Sequence, residues 1–262
     1  MAQISYDHVE IAYPGKDGPF VAVEDFTAEV EQGQFVTIVG PSGCGKSSVL
    51  MATDGLLAAS GGAIQIGDRT VSRPGKDRAV VFQDASLLPW RTIESNVAFG
   101  LEMQGVGKQE RLAAARRYID LVGLSGRERS YPHQLSGGMR QRVGIARALA
   151  IDPEVLLMDE PFGALDAQTR EVMATELLRI WDVDRKTVLF VTHSLDEAIF
   201  LADKVLVMGD RPSRIIEVID VDLPRPRDEA VRESEAYIRY RARLAELLFG
   251  KPAATVAVPA AS

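Results

Sequence analysis

The chain has 262 residues, 46% of them hydrophobic and 26% charged, which is an ordinary balance for a globular protein with a sizeable core. Its formal net charge of −7 argues against the overall basic field that nucleic-acid-binding proteins use. Cys44 is the only cysteine, so no intrachain disulfide can form, as is usual in a reducing compartment. No apolar run reaches about 18 residues, and we expect neither a signal peptide nor a membrane span.

The first predicted elements are three strands. Residues 4–13 and 20–30 alternate loosely between apolar and polar side chains, whereas residues 35–39 are nearly all apolar and predict a buried strand. Tyr13 lies where the first strand meets a turn-rich segment. An aromatic ring there can stack on a flat base, or it can pack as a half-buried strand residue.

The third strand leads into a segment that fits the phosphate-loop pattern G-x-x-x-x-G-K-[ST]. We call residues 40–48 the phosphate loop; it comprises Gly40, Pro41, Ser42, Gly43, Cys44, Gly45, Lys46, Ser47 and Ser48. A helix is predicted from Ser47 onward. In this context the backbone N–H groups and the helix N-terminus bind a phosphate chain, Lys46 reaches its outer phosphates, and the Ser47 hydroxyl ligates Mg²⁺. The alternative is a glycine-rich turn before an ordinary helix.

Cys44 lies among the amides of this loop. Positive potential lowers the pKa of a thiol, so this position predicts a reactive cysteine. A buried and inert cysteine is the alternative.

A pair of carboxylates follows a later apolar strand, which is predicted at residues 154–158. In a phosphate-loop protein the first, Asp159, supports Mg²⁺, and the second, Glu160, can polarise an attacking water. A surface turn after the strand is the alternative. Asp166 is predicted to cap the N-terminus of the next helix.

Residues 84–150 are predicted to be largely helical, and apolar side chains at helical spacing predict one helix at residues 109–122. Another begins with Ser136, Gly137 and Gly138. Backbone amides and a serine at a helix start can bind an anion, although the same residues are common in N-caps and turns.

Two further apolar strands also end in polar residues, one at Gln83 and the other at Thr192 and His193. Because helices separate these strands, we expect a parallel sheet with right-handed crossovers. Ligands of such sheets bind at the carboxyl ends of the strands, so the four strand ends should converge on one nucleotide. Beyond them, Ser194 and Glu197 predict a capping box.

Over roughly residues 1–225 the chain resembles the ATP-binding subunit of an ABC transporter. The motifs that carry the resemblance are the Walker A loop at residues 40–47, the Q-loop at Gln83, the signature at residues 135–138, Walker B ending at Asp159, the catalytic carboxylate Glu160, the D-loop at residues 163–166 and the switch histidine His193. The resemblance implies an α/β fold of the P-loop NTPase type. Its RecA-like parallel core carries an antiparallel β subdomain and an inserted α-helical subdomain.

The resemblance also suggests how the chain is divided. We predict a nucleotide-binding domain at residues 1–225, with a core lobe at 1–83 and 151–225 and a helical subdomain at 84–150. A C-terminal helix at 226–250 and a mobile tail at 251–262 follow it. Residues 223–227 are interpreted as a linker. Residues 87–90 and 96–99 are either a docking surface or ordinary packing of the helical subdomain.

For mechanism, the resemblance implies an ATPase that acts as a head-to-tail dimer. Ser136 and Gly138 of one copy contact the γ-phosphate held by Lys46 of the other, so ATP closes the dimer and hydrolysis opens it. The implied nucleotide contacts are the phosphate loop, Tyr13, Gln83, Ser136, Gly137, Gly138 and Asp166; the implied Mg²⁺ ligands are Ser47, Gln83 and Asp159; and Glu160, His193, Lys46 and Gln83 form the implied catalytic set.

Several segments further resemble importers of nitrate, aliphatic sulfonates and taurine: residues 80–91, 96–100, 131–135 and 159–170. This similarity implies separate permease subunits, an indirect solute-binding protein, and a peripheral location on the cytoplasmic face of a bacterial inner membrane. Another small organic solute, or an exporter or lipid-trafficking complex, is the alternative. A DNA-repair ATPase with the same head is disfavoured, because no long coiled-coil insertion or DNA-binding surface is evident.

Overall fold

The computed structural model describes residues 4–15 and 18–250, so the tail predicted at residues 251–262 lies outside the described residues. The strands are β1 (Ile4–Tyr13), β2 (Phe20–Val30), β3 (Phe35–Val39), β4 (Gly61–Ile66), β5 (Arg69–Thr70), β6 (Arg78–Val81), β7 (Val155–Asp159), β8 (Thr187–Val191), β9 (Lys204–Met208) and β10 (Ile215–Asp220). The α-helices are α1 (Lys46–Asp54), α2 (Ile93–Val97), α3 (Phe99–Met103), α4 (Lys108–Leu121), α5 (Gly137–Ala150), α6 (Ala167–Asp184), α7 (Leu195–Leu201) and α8 (Glu235–Phe249). Short 3₁₀ helices occupy Pro132–Gln134 and Glu229–Glu233.

These strands form two sheets. The smaller has the order β2-β1-β4-β5 and is antiparallel throughout. The larger has the order β10-β9-β3-β8-β7-β6. Its neighbours from β9 to β6 are parallel, and β10 is added antiparallel at the edge. The predicted fold class is therefore confirmed: a parallel core with an antiparallel β unit, and helices α2 to α5 inserted between β6 and β7.

Strand β3 lies inside the larger sheet and is buried at every position. Because side chains alternate along a strand, its two faces enter different cores. Phe35 and Val39 pack among the helices, where the Phe35 ring lies 5.6 Å from that of Trp181. Val36 and Ile38 pack against α1 and the smaller sheet. Cover on both faces explains why β3 is an almost continuous apolar run.

At Asn96 the structure favours ordinary packing of the helical subdomain over the alternative of a docking surface. Asn96 is completely buried, and its side-chain amide donates to the carbonyl oxygens of Leu88, Arg91 and Thr92 at 3.0–3.1 Å. Its amide oxygen accepts the Leu88 N–H at 2.8 Å. The buried Asn96 side chain therefore stabilises the loop at residues 88–92 by hydrogen bonds within the chain. Trp90, in contrast, is 71% exposed.

The interpretation of residues 223–227 as a linker is wrong. Arg227 is 5% exposed, and its guanidinium donates to the carbonyl oxygens of Ile199, Phe200 and Ala202 at 2.8–3.1 Å. These oxygens lie at the C-terminal end of α7, where helix carbonyls lack intrahelical partners. Residues 223–227 are therefore held against the end of α7 by the Arg227 side chain. The segment leads to α8, whose Tyr237 packs in the main core.

Candidate nucleotide site

The phosphate loop joins β3 to α1. Gly43 and Gly45 have φ values of 74° and 105°, which L side chains rarely adopt, so glycine is required at both positions. Lys46, the first residue of α1, is 6% exposed. Its Nζ donates to the carbonyl oxygens of Gly40 and Pro41, both at 2.9 Å. The loop thus holds the lysine ammonium against its own backbone.

Ser47 connects the loop to the end of β7. Its Oγ donates to Asp159 Oδ1 at 2.8 Å. Burial raises the pKa of Asp159, and the neighbouring Glu160 carboxylate raises it further, although the Ser47 hydrogen bond and Lys46 oppose this. A divalent cation would reverse that shift by favouring the ionised carboxylate. Hydroxyl and carboxylate oxygens are also the ligands that Mg²⁺ prefers, so these two residues fit the predicted ion.

Glu160 and His193 meet across two adjacent strand ends. His193 Nδ1 lies 3.1 Å from Glu160 Oε2. The Glu160 N–H donates to the carbonyl oxygen of Val191 at 2.9 Å, which holds the turn after β7 against β8. Glu160 has a φ of 43°, an uncommon value for a residue other than glycine. Backbone strain of this kind is concentrated at functional sites.

The capping box predicted at the start of α7 is only half correct. Ser194 Oγ accepts the Glu197 N–H at 3.3 Å, as predicted. The Glu197 carboxylate, however, accepts the Thr192 hydroxyl at 2.5 Å, and the Ser194 N–H donates to Thr192 Oγ1. Burial raises the pKa of Glu197. The Thr192 hydroxyl therefore replaces the Ser194 N–H as the donor to the Glu197 carboxylate. These bonds hold Thr192, the residue before His193, in place.

Gln83 follows β6, which pairs in parallel with β7. Its side-chain nitrogen lies 2.9 Å from the position that a Cβ on Gly163 would occupy, so the amide packs directly on the segment after Glu160. This contact places Gln83 beside the Walker B turn. Its assignment to Mg²⁺ stays a prediction.

The signature residues lie apart from these groups. Ser136 caps α5 by accepting the Met139 N–H at 3.3 Å, and Ser136 and Gly137 are exposed. Gly138 lies beside them and packs near Thr169. Within residues 4–15 and 18–250, no hydrogen bond joins the signature to the phosphate loop.

Asp166 caps α6, as predicted from the sequence. Its carboxylate accepts the Thr169 N–H at 2.9 Å and the Thr169 hydroxyl at 2.7 Å, and these bonds lower the pKa of Asp166. Tyr13 pairs opposite Phe20, and its hydroxyl lies 2.8 Å from Ser48 Oγ. Stacking of Tyr13 on adenine stays a prediction.

The expectation of a reactive Cys44 needs correction. The side chain is 1% exposed, and burial raises the thiol pKa. Lys46 and nearby backbone hydrogen bonds oppose the shift but are outweighed. Sequence reasoning placed the thiol among inward-facing amides, whereas it packs against the apolar interior near Gly40 and Met208.

Sequence reasoning also missed residues that hold the site from outside. Ser213 and Arg211 contact the phosphate loop, and Arg170 lies 3.4 Å from Glu197. These contacts join segments that are far apart in the chain. No local motif identifies them, although a serine in a short polar segment between two apolar strands is a weak signal.

Comparison with known proteins places this geometry in a family. The family described as ABC transporter matches residues 23–163. The nitrate import ATP-binding protein of Synechococcus elongatus is 43% identical over 94% of this chain and 91% of its own length. The taurine import ATP-binding protein of Rhizobium johnstonii is 48% identical over 85% of each chain.

A solved structure agrees with these relatives. It is a dimeric post-hydrolysis state of an ATP-binding cassette with ADP and Pi, similar to this chain with a TM-score of 0.74 at 28% identity. The match covers 84% of this chain and 100% of that one. The chain therefore belongs to the ABC transporter family and is one of its ATP-binding subunits, an ATPase.

Proposed function

We propose that this chain hydrolyses ATP to drive an importer of a small anionic solute of the sulfonate, taurine or nitrate type. The solute class is supported by the similarity to nitrate and taurine import proteins. Within the described residues no helix is long and apolar enough to cross a bilayer. In the proposed importer, separate permease subunits carry the solute, and a solute-binding protein delivers it to them.

The observation that carries this proposal is the meeting of strand ends at one edge of the parallel sheet. Lys46 provides an ammonium for the β- and γ-phosphates of ATP. Glu160 orients and deprotonates the attacking water, and His193, 3.1 Å from it, contacts the γ-phosphate. The ends of β7 and β8 place Glu160 and His193 within hydrogen-bonding distance of each other, as positioning catalysis requires.

Ser47 and Asp159 would hold Mg²⁺, with Gln83 approaching from the end of β6. When bound, this ion neutralises charge on the phosphate oxygens and orients them. Partial burial and the neighbouring Glu160 raise the pKa of Asp159, and a bound cation would favour its ionised form. Tyr13 and Asp166 complete the proposed nucleotide contacts.

We further propose that the signature acts on the nucleotide of a second copy. Ser136, Gly137 and Gly138 form the N-terminal end of α5, and the first two are exposed. Backbone N–H groups at a helix start attract anions. Because nothing in the described chain joins them to its own phosphate loop, a head-to-tail dimer gives them a phosphate to bind. The similarity to a dimeric cassette supports this arrangement.

The permease contact is proposed at Trp90. Its ring is 71% exposed, and Met103, on α3 of the same helical region, is 65% exposed. Large apolar side chains of this exposure favour a protein contact. Binding there would hold the chain peripherally on the cytoplasmic face of the inner membrane.

The proposal is tested by measuring ATP hydrolysis and solute uptake in vesicles that contain this chain and its permease. We expect Glu160→Gln to bind ATP normally but to hydrolyse it about 100-fold or more slowly, because general-base catalysis is lost. Glu171→Gln, an exposed residue on α6, is the matched control and should behave as wild type. Hydrolysis by Glu160→Gln at the wild-type rate would show that another group activates the water.

A further inference from the structure

The connection between β9 and β10 contacts the phosphate loop from its outer side. We call residues 209–214 the β9–β10 loop. Ser213 in this loop is completely buried, and its hydroxyl donates to the carbonyl oxygen of Cys44. That hydroxyl also lies 3.2 Å from the Ala22 carbonyl oxygen, but its single proton serves the closer oxygen. The Ser213 N–H donates to Ala22 at 3.1 Å, and the Ser213 carbonyl accepts the Glu24 N–H at 2.8 Å.

Arg211 makes the neighbouring contact. Its Nε–H donates to the carbonyl oxygen of Gly43, and its guanidinium lies 5.5 Å from the centre of the Phe20 ring. A side chain on Gly43 would collide with this guanidinium. Two successive carbonyl groups of the phosphate loop are therefore held by two side chains of the β9–β10 loop.

Peptide geometry gives these contacts a consequence for phosphate binding. In a trans peptide unit the C=O and the following N–H point in opposite directions. Fixing the carbonyls of Gly43 and Cys44 outward therefore turns the N–H groups of Cys44 and Gly45 inward. The Cys44 N–H accordingly points at Pro41 O, 3.3 Å away. That oxygen also accepts Lys46 Nζ, so the N–H faces the side of the loop that the lysine occupies.

We propose that Ser213 and Arg211 are positioning residues for phosphate binding, which rests on the proposed role of the phosphate loop. They act through the peptide units of Cys44 and Gly45 and do not touch the nucleotide themselves. By fixing these N–H dipoles before the phosphate arrives, they remove the cost of ordering the loop on binding. A long N–H bond to Pro41 is then exchanged for one to a phosphate oxygen.

The test is calorimetric titration of the full chain with ADP and, separately, with adenosine. We expect Ser213→Ala and Arg211→Ala each to weaken ADP about five- to tenfold, the loss typical of one hydrogen bond. Arg211→Lys, which retains a donor, should recover part of the ADP affinity. Adenosine, which has no phosphate, should bind all variants equally. Arg214→Ala is the matched control, because it removes the same charge from the same loop and should bind ADP as wild type does.

ADP affinities within twofold of wild type for both variants would overturn the proposal. An equal loss of ADP and adenosine affinity would also overturn it, because that result indicates a general structural defect. Arg211 is exposed, so Arg211→Ala keeps the test decisive if Ser213→Ala does not fold. Lys46→Ala distinguishes failure of the proposed phosphate site from failure of the positioning role alone. If it binds ADP as wild type does, the assigned phosphate site is wrong. If it loses ADP while the other variants do not, only the positioning role fails.

Discussion

The two parts of the proposed nucleotide site are held in opposite ways. At the edge of the parallel sheet, polar side chains are bonded to one another within the chain. Ser47 contacts Asp159 at 2.8 Å, and Glu160 contacts His193 at 3.1 Å. At the start of α5, the Ser136 hydroxyl caps its own helix, and the residue is exposed.

This difference has a physical basis. Inner parallel strands are fixed on both sides, so residues at their carboxyl ends are placed rigidly relative to one another. A helix N-terminus that projects at the surface has orphan N–H groups that need an outside partner. In the proposed mechanism the chain therefore builds one part of the site internally and presents the other to a second copy.

Changing the exposed part should have the largest effect on turnover. Gly137→Asp places a negative charge where the partner's phosphate would bind. A Cβ at Gly137 would lie 3.7 Å from Leu165 and so fits without collision. We expect ATP hydrolysis to fall about 100-fold or more, while a single chain still binds ADP normally, because charge repulsion acts only in the dimer.

The control for this variant is Gly107→Asp. It adds the same charge at the start of α4, where a Cβ meets no atom within 4 Å. Turnover should match that of wild type. If Gly137→Asp also abolishes ADP binding by the isolated chain, the signature acts within its own chain and the comparison fails.

The residues at the sheet edge should depend on contacts from distant parts of the chain. Arg227 makes one such set of contacts. Burial lowers the pKa of Arg227 to about 10, yet its guanidinium binds the carbonyls that end α7, the helix after His193. We expect Arg227→Ala to lower stability by about 2 kcal/mol, since buried carbonyls lose their donor. Thermal unfolding measures the change, with exposed Arg239→Ala as the control that should leave the midpoint unchanged. Equal midpoints for the two variants would contradict the anchoring role.

A smaller effect should appear at Asp159. Its pKa is raised by burial, so between the unfolded and folded pKa values the native state binds more protons than the unfolded state. Stability therefore falls as pH rises through this window. Without nucleotide and Mg²⁺, Asp159→Asn should melt with wild type near pH 4 and a few degrees higher at pH 7. Thermal melts across this range measure the difference.

Asp166→Asn gives a control of opposite sign. Its hydrogen bonds to Thr169 lower the Asp166 pKa, so its contribution is present above the unfolded pKa and is lost as pH falls through the folded pKa. This variant should melt below wild type at pH 7 and approach it in acid. If both variants shift in the same direction at pH 7, the charge assignment at the sheet edge is wrong.

Local patterns predicted the sheet edge well, because the physical cause is local. A strand's residues and the polar residue after it are adjacent in sequence, and parallel pairing then brings such ends together. Lys46, Asp159, Glu160 and His193 could be located in this way. The N-cap at Asp166 was equally predictable, since a cap needs only the residues of its own first turn. At Ser136 the observed cap was one of the two interpretations left open.

The interpretations that proved wrong differ in their cause. Glu197 binds the hydroxyl of Thr192, which is close in sequence, in place of the expected backbone N–H. Arg227, in contrast, resembles part of a linker until α7, which is distant in sequence, supplies its acceptors. Cys44 reads as reactive until the core that buries it is known. For Arg227 and Cys44 the deciding factor is burial, which depends on distant segments and cannot be inferred from the neighbouring residues.

The measurement that tests the divided site most directly mixes two inactive variants. Lys46→Ala lacks a working phosphate loop, and Gly137→Asp lacks a working signature. In a head-to-tail dimer of one copy of each, one of the two sites combines the intact phosphate loop with the intact signature. We predict that ATP hydrolysis returns on mixing, to at most roughly a quarter of the wild-type rate for random pairing. A mixture as inactive as its components would contradict the account, because it would mean that both parts must belong to the same chain.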